Sequence, residues 1–160
     1  MRYHHFLCLK FITYYFFSRY EKIKDTDDKW IKKCQKIYQF VNQLIVTLLK
    51  EGNCPELCLR LFLEAALNAA KSEIGDFESI SYEFISQAFS IYEEEISDSK
   101  EQTLCLLLII ATVKNIKFDN IENFTPLRNQ CCLNCGMYFE SCIYSINLIC
   151  NYAFAFEQVN

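Results

Sequence analysis

The 160-residue chain is poor in the residues that punctuate a fold, with only 3 glycines and 2 prolines. All-β sandwiches and barrels need such residues at their many tight turns. Their scarcity therefore points to helices joined by short loops. Three glycines also cannot build a phosphate-cradling loop. Histidine is scarce too, and His4 and His5 both sit at the start of the chain. A Cys–His nucleophile would need one of them to reach across the fold, and no residue pattern supports that. An excess of positive charge is also missing. The net charge is −4 and the pI about 5.2, whereas sequence-independent nucleic-acid binding depends on clustered Lys and Arg. No nucleic-acid partner is expected.

Apolar side chain is what the sequence has in quantity: 52% of residues are hydrophobic and 16% aromatic. That suffices for one substantial core, so residues 1–160 are read as a single domain. The 10 cysteines lie among Leu, Ile and Phe, as Cys105 does in LCLLLIIA and Cys150 in INLICNYAF. Such thiols act as small hydrophobes in a reducing, cytosolic setting. Cys132 and Cys135 form a C-x-x-C pair, followed by Cys142 and Cys150, and Cys54 and Cys58 share an i, i+4 spacing. Structural zinc usually needs two tight pairs in tetrahedral array, and the second pair is missing. Packed thiols are the expectation, with no metal, no cofactor and no active site.

Two terminal runs raise the question of membranes. Arg2, His4 and His5 precede FLCLKFITYYFF, but Lys10 interrupts the run and no small-residue cleavage site follows. The run is also shorter than the roughly 20 apolar residues a spanning helix takes. Leu133 to Phe156 carries one charge, Glu140, and is diluted by Asn134, Asn147 and Asn151. A core helix is the reading for this tail, with a membrane span as the alternative.

Between the ends, helical periodicity is clear. Trp30, Cys34, Ile37, Val41, Leu44 and Leu48 recur at alternating steps of four and three, one stripe of a helix, while Lys29, Lys32, Lys33, Lys36 and Gln43 fall elsewhere. Asp25, Thr26 or Asp27 can cap its start, and Gly52 is the expected left-handed stop. Asn53 and Pro55 open a second helix whose apolar face holds Leu57, Leu61, Ala65 and Ala69, flanked by Leu59, Phe62 and Leu63. The short link folds it back as a helical hairpin. Gly75 and Asp76 break the chain before a stripe of Ile80, Phe84, Ala88 and Ile91, and Glu93 to Glu95 with Ser97 break it again. Asp98 and Glu101 have capping-box spacing ahead of a helix through Thr103 to Val113. Further helices are expected over 3–20, from Thr125 to about Tyr138, and over 142–156. The total is about seven helices, an all-α chain that reads as an α-solenoid of HEAT-like hairpins, with a closed bundle as the alternative.

Exposed aromatic and acidic residues on a repeat surface are partner-contact material, with Tyr82, Phe89 and Tyr92 as candidates. Equally, aromatics at helical spacing fill cores. Glu93, Glu94 and Glu95 read as a solvated face.

The segments DDKWIKKCQKIYQF, CLRLFLEAAL, YEFISQAFSIYEEEISDSK and PLRNQC resemble, in order and spacing, the vacuolar protein sorting-associated protein 35 family, the large retromer subunit. The likeness covers residues 20–131, leaving divergent ends at 1–19 and 132–160, and matches that family's C-terminal half. It implies a curved, non-catalytic α-solenoid. Such a scaffold is cytoplasmic, peripheral on the endosome membrane, and sorts cargo for return to the Golgi or plasma membrane. The partners implied are a metallophosphoesterase-like retromer subunit (vacuolar protein sorting 29 type) and the WASH complex. By similarity, Glu94, Glu95, Ser97 and Asp98 lie at a conspicuous helix–helix turn. The family's motif for an arrestin-like subunit has no counterpart here, which puts that partner in doubt. The basic turn used in coat dimerisation is replaced by LNCGMYFESCIYSINLICNYAFAF. A truncated non-functional paralogue, or a small membrane-associated helical protein, is the alternative.

Overall fold

The computed structural model describes residues 28–72, 76–116, 125, 126 and 129. Four helices account for nearly all of them: α1 (Asp28–Gly52), α2 (Pro55–Ser72), α3 (Phe77–Glu94) and α4 (Ser99–Asn115). Thr125, Pro126 and Asn129 are also helical and exposed. The helices expected over 3–20 and 142–156, the caps at Asp25 to Asp27, the C-x-x-C cysteines and the apolar tail 133–156 all lie outside the described residues. Among the described residues no helix is long and apolar enough to cross a membrane.

Local chemistry sets the boundaries. Asp98 caps α4 as its spacing predicts, its carboxylate accepting from the backbone N–H of Lys100 and of Glu101, each at 3.0 Å. Asp76 caps α3 in the same way, accepting from the Ser79 N–H at 3.2 Å. Pro55 occupies the first turn of α2, where its missing N–H costs nothing. The first α2 hydrogen bond runs from Cys58 N–H to the Cys54 carbonyl at 3.1 Å.

The end of α1 differs from expectation. The left-handed residue is Asn53, with φ 44°, rather than Gly52, which closes the helix itself. Asn tolerates that conformation better than most side chains do. Gly52 is small for another reason: a Cβ there would stand 3.1 Å from both Leu48 Cδ1 and Cys54 Sγ.

The helices pack as a small array with α2 at its centre, in contact with α1, α3 and α4. Cys58, Leu59, Leu61, Phe62, Leu63, Ala65, Ala66 and Ala69 are all buried, which wraps apolar surface most of the way round α2. Its broadest contact is with α3. There Phe62 meets Phe84 (centroids 6.1 Å apart) and the Ala66 carbonyl accepts from the Ser81 hydroxyl (3.1 Å). As the contacts advance along α2 they retreat along α3, so the pair is antiparallel. Ala65, Ala66, Ala69, Ser81 and Ala88 are fully or nearly fully buried, and such small side chains let two helices approach closely.

Helix α1 is amphipathic, but its stripe is rotated from the expected one. Cys34, Tyr38, Val41 and Ile45 are buried, whereas Ile37, Leu44 and Leu48 are only partly covered. Lys32, Lys33, Lys36 and Gln43 are exposed, as their positions predict. Tyr38 carries α1 onto α3, its ring meeting that of Phe84 edge-on at 6.0 Å. Helix α4 is apolar over much of its surface. Cys105, Leu106, Ile109, Ile110 and Val113 are buried, while Leu104 (50% exposed) and Leu108 (36%) leave apolar groups on the outer side.

Candidate interaction surface

The turn between α3 and α4 is held on three sides. The Glu95 N–H donates to the Ile91 carbonyl at 2.9 Å, closing α3, and the Gln102 N–H donates to the Asp98 carbonyl at 2.8 Å, opening α4. Ile96 plugs the centre of the turn at 4% exposure, and its carbonyl accepts from Gln102 Nε2 at 2.7 Å. With Ile96 anchored inward, the neighbouring polar side chains turn outward: Glu93, Glu94, Glu95, Ser97 and Asp98 are all exposed. The result is a fixed acidic knuckle on the molecular surface. It has the chemistry of a contact surface for basic or hydrogen-bond-donating groups.

The candidate aromatics do not gather there. Phe89 belongs to the core, at 2% exposure. Tyr92 is half-buried beside it, edge-on at 6.3 Å and an interplanar angle of 88°, just ahead of the knuckle in the chain. Burial raises the Tyr92 phenol above its usual value, with Glu93 and Cys105 adding to the effect, so it stays a neutral hydroxyl. Tyr82, also half-buried, stands about 15 Å from Tyr92 along the axis of α3, as the rise per helical residue dictates. Acidic turn and Tyr92 form one patch; Tyr82 lies apart.

The four thiols among the described residues are packed into the core. Cys34, Cys54, Cys58 and Cys105 are free and buried. Burial foremost, then the adjacent Cys54 and Glu56, push the Cys58 thiol up to about 12. Burial also raises Cys34 and Cys105, in the latter case against the attraction of Arg60. A thiol held protonated is a poor nucleophile and a poor metal ligand. Among the described residues no group of three or more His, Cys, Asp or Glu side chains could hold a metal ion.

One feature escaped the sequence reading. A cleft of about 300 Å³ opens between α1 and α3, lined by Gln35, Gln39, Asn42, Asp76, Ser79 and Glu83 over Tyr38, Ile80 and Phe84. Asn42 Oδ1 is buried without a hydrogen-bond partner. The stripe drawn through Leu44 and Leu48 turns Asn42 away from the core. A stripe through Cys34, Tyr38, Val41 and Ile45 would have set it on the core's edge.

Comparison with known proteins gives this surface its context. The model of the family described as vacuolar protein sorting-associated protein 35 matches residues 3–139. The chain belongs to the Vps35 family. That family is the large, non-catalytic subunit of retromer, involved in retrograde endosomal transport. The chain is 37% identical over 123 residues to vacuolar protein sorting-associated protein 35 of Schizosaccharomyces pombe, covering 70% of this chain and 14% of that protein. To proteins 35B and 35A of Arabidopsis thaliana it is 45% and 47% identical over 96 and 95 residues, about 60% of this chain and 12% of each relative. The chain thus spans about one eighth of the length of the Vps35 relatives it matches.

Proposed function

We propose that this chain is a non-catalytic scaffold segment of the retromer coat, acting in endosome-to-Golgi and endosome-to-plasma-membrane transport. It corresponds to part of the C-terminal half of the Vps35 family, and its helices continue as an α-solenoid of HEAT-like hairpins. The observation that carries the reading is the family match over residues 3–139. The fold agrees with it. A helix stacked in a repeat array carries apolar groups on the side its next neighbour covers, and α4 carries Leu104 and Leu108 on its outer side.

The partner is a metallophosphoesterase-like retromer subunit, and the contact is the acidic knuckle of Glu94, Glu95, Ser97 and Asp98, backed by Tyr92 and, from within, by Phe89. Tyr82 marks a separate contact further along α3. The WASH complex is a second partner of the same scaffold, and the chain sits on the cytoplasmic face of endosomes through its partners. Rim carboxylates of this kind act chiefly on association rate and partner choice.

A pull-down of the full chain with the metallophosphoesterase-like subunit tests this. The intact chain should retain the subunit. A variant carrying Glu94→Lys, Glu95→Lys and Asp98→Asn should lose it while keeping its helical circular dichroism, since Asn preserves the α4 cap. Absence of binding by the intact chain, or unchanged binding by the variant, overturns the assignment of this surface.

A further inference from the structure

We infer that the outward face of α1 is a membrane-contact surface, which lies along an anionic phospholipid bilayer with its lysines at the headgroups and Phe40 set below them. This adds a direct contact to the attachment through partners and does not depend on the scaffold reading.

The face is a straight line of exposed side chains. Lys32, Lys36, Phe40, Gln43, Thr47 and Lys50 follow one another at steps of four and three, and all are exposed. They lie opposite the buried stripe of Cys34, Tyr38, Val41 and Ile45, and the exposed Lys33 stands beside them. From Lys32 to Lys50 the line runs about 27 Å along the helix axis. A straight run on one helix matches a plane better than it matches a pocket.

Two independent observations say what that plane carries. The first is charge. Residues 31–50 hold four lysines and no Asp or Glu, whereas residues 76–116 hold eight carboxylates against two lysines. In a chain of net charge −4, positive charge is thus gathered on one helix face. Clusters of about four or more such cations are drawn to anionic lipid. The second is Phe40, which is 54% exposed and sits in the line between Lys36 and Gln43. It is the most exposed large hydrophobic side chain among the described residues. Positive charge together with an apolar anchor is the pair of signals that membrane attachment takes.

The cations also favour a membrane over an acidic protein. All four are lysine, and none is arginine. The planar arginine fork suits fixed, bidentate pairing with a carboxylate. A lysine is a point charge on a flexible stem, which can follow mobile headgroups while its methylenes lie against apolar surface.

The test floats the full chain with vesicles of phosphatidylcholine alone and with vesicles of phosphatidylcholine mixed with phosphatidylserine. The chain should float with the anionic vesicles only. Salt at about 1 M, where the screening length falls to about 3 Å, should release it. A variant carrying Lys32→Ala, Lys33→Ala and Lys36→Ala keeps good helix formers at each position and should bind roughly a hundredfold more weakly, since each lysine near such a surface is worth about fivefold. Phe40→Ser should weaken binding about tenfold and leave its salt dependence unchanged. Equal flotation with neutral vesicles would assign the attachment to an apolar segment and overturn the proposal. So would no flotation at all, or unchanged flotation of the triple lysine variant. Capture of the chain by soluble polyglutamate but not by anionic vesicles would assign the face to an acidic protein, which also overturns it.

Discussion

Helix α3 has two different sides. Towards α2 it is dry and closely packed: Ser81 finds the Ala66 carbonyl, Phe84 meets Phe62, and the small residues Ala66, Ala69 and Ala88 bring the two helices together. Towards α1 the same helix borders an open cleft whose lining has more polar side chains than apolar ones. One ring, Phe84, serves both sides. The contrast teaches that dry packing and polar exposure are divided by helix face in this fold. The α2–α3 pair supplies the closely packed unit, and the α1 junction and the α3–α4 turn carry exposed polar side chains.

That division can be broken or sharpened by mutation. The largest effect should come from Phe62→Ala, which empties the centre of the closely packed side and should cost about 3–5 kcal/mol in urea unfolding. A loss under about 1 kcal/mol would show that this side is not the stable unit. Next, Ala66→Leu forces bulk between α2 and α3 and should cost about 1–3 kcal/mol. The third effect concerns pH. Cys58 ionises near 9 when unexposed to the fold's influence and near 12 within it. Its protonated, buried state therefore contributes stability that is fully present below pH 9 and lost as pH rises from 9 towards 12. The loss from this group should run at about 1.4 kcal/mol per pH unit above the unfolded value. Cys58→Ala should flatten that alkaline slope without removing it, since Cys34 and Cys105 are raised in the same direction. The smallest effect belongs to the cleft side, where Gln39→Ala should change stability by less than about 0.5 kcal/mol. A cost as large as that of Phe62→Ala would erase the contrast.

How far the sequence foretold this depends on the kind of signal. Caps were legible because one side chain and two nearby amides settle them locally, as Asp98 does for α4. The α2–α3 hairpin was legible because its apolar face is broad and its connection short. The α1 stripe was misplaced by part of a turn, since Ile37, Leu44 and Leu48 are as apolar as Tyr38 and Ile45. Only packing against the rest of the array, chiefly α2, decides which set is buried. Sequence points to Gly52 for the left-handed conformation that Asn53 takes, because the close approach of Leu48 and Cys54 Sγ is a tertiary fact. The acidic knuckle could be read as a turn, but the inward anchoring by Ile96 that turns its carboxylates outward could not. The cleft was invisible for the same reason: its two walls are distant in sequence.

In the proposed scaffold role, a rigid α2–α3 unit holds the α3–α4 turn ready for a retromer partner. Hydrogen exchange of the full chain, measured with and without the metallophosphoesterase-like subunit, tests it most directly. In the free chain the slowest amides should lie in α2 and the α3 segment that faces it. Adding the subunit should slow exchange over residues 92–102 and leave the α2 core unchanged. Uniform exchange across the four helices, or no added protection at the turn on binding, would contradict the account.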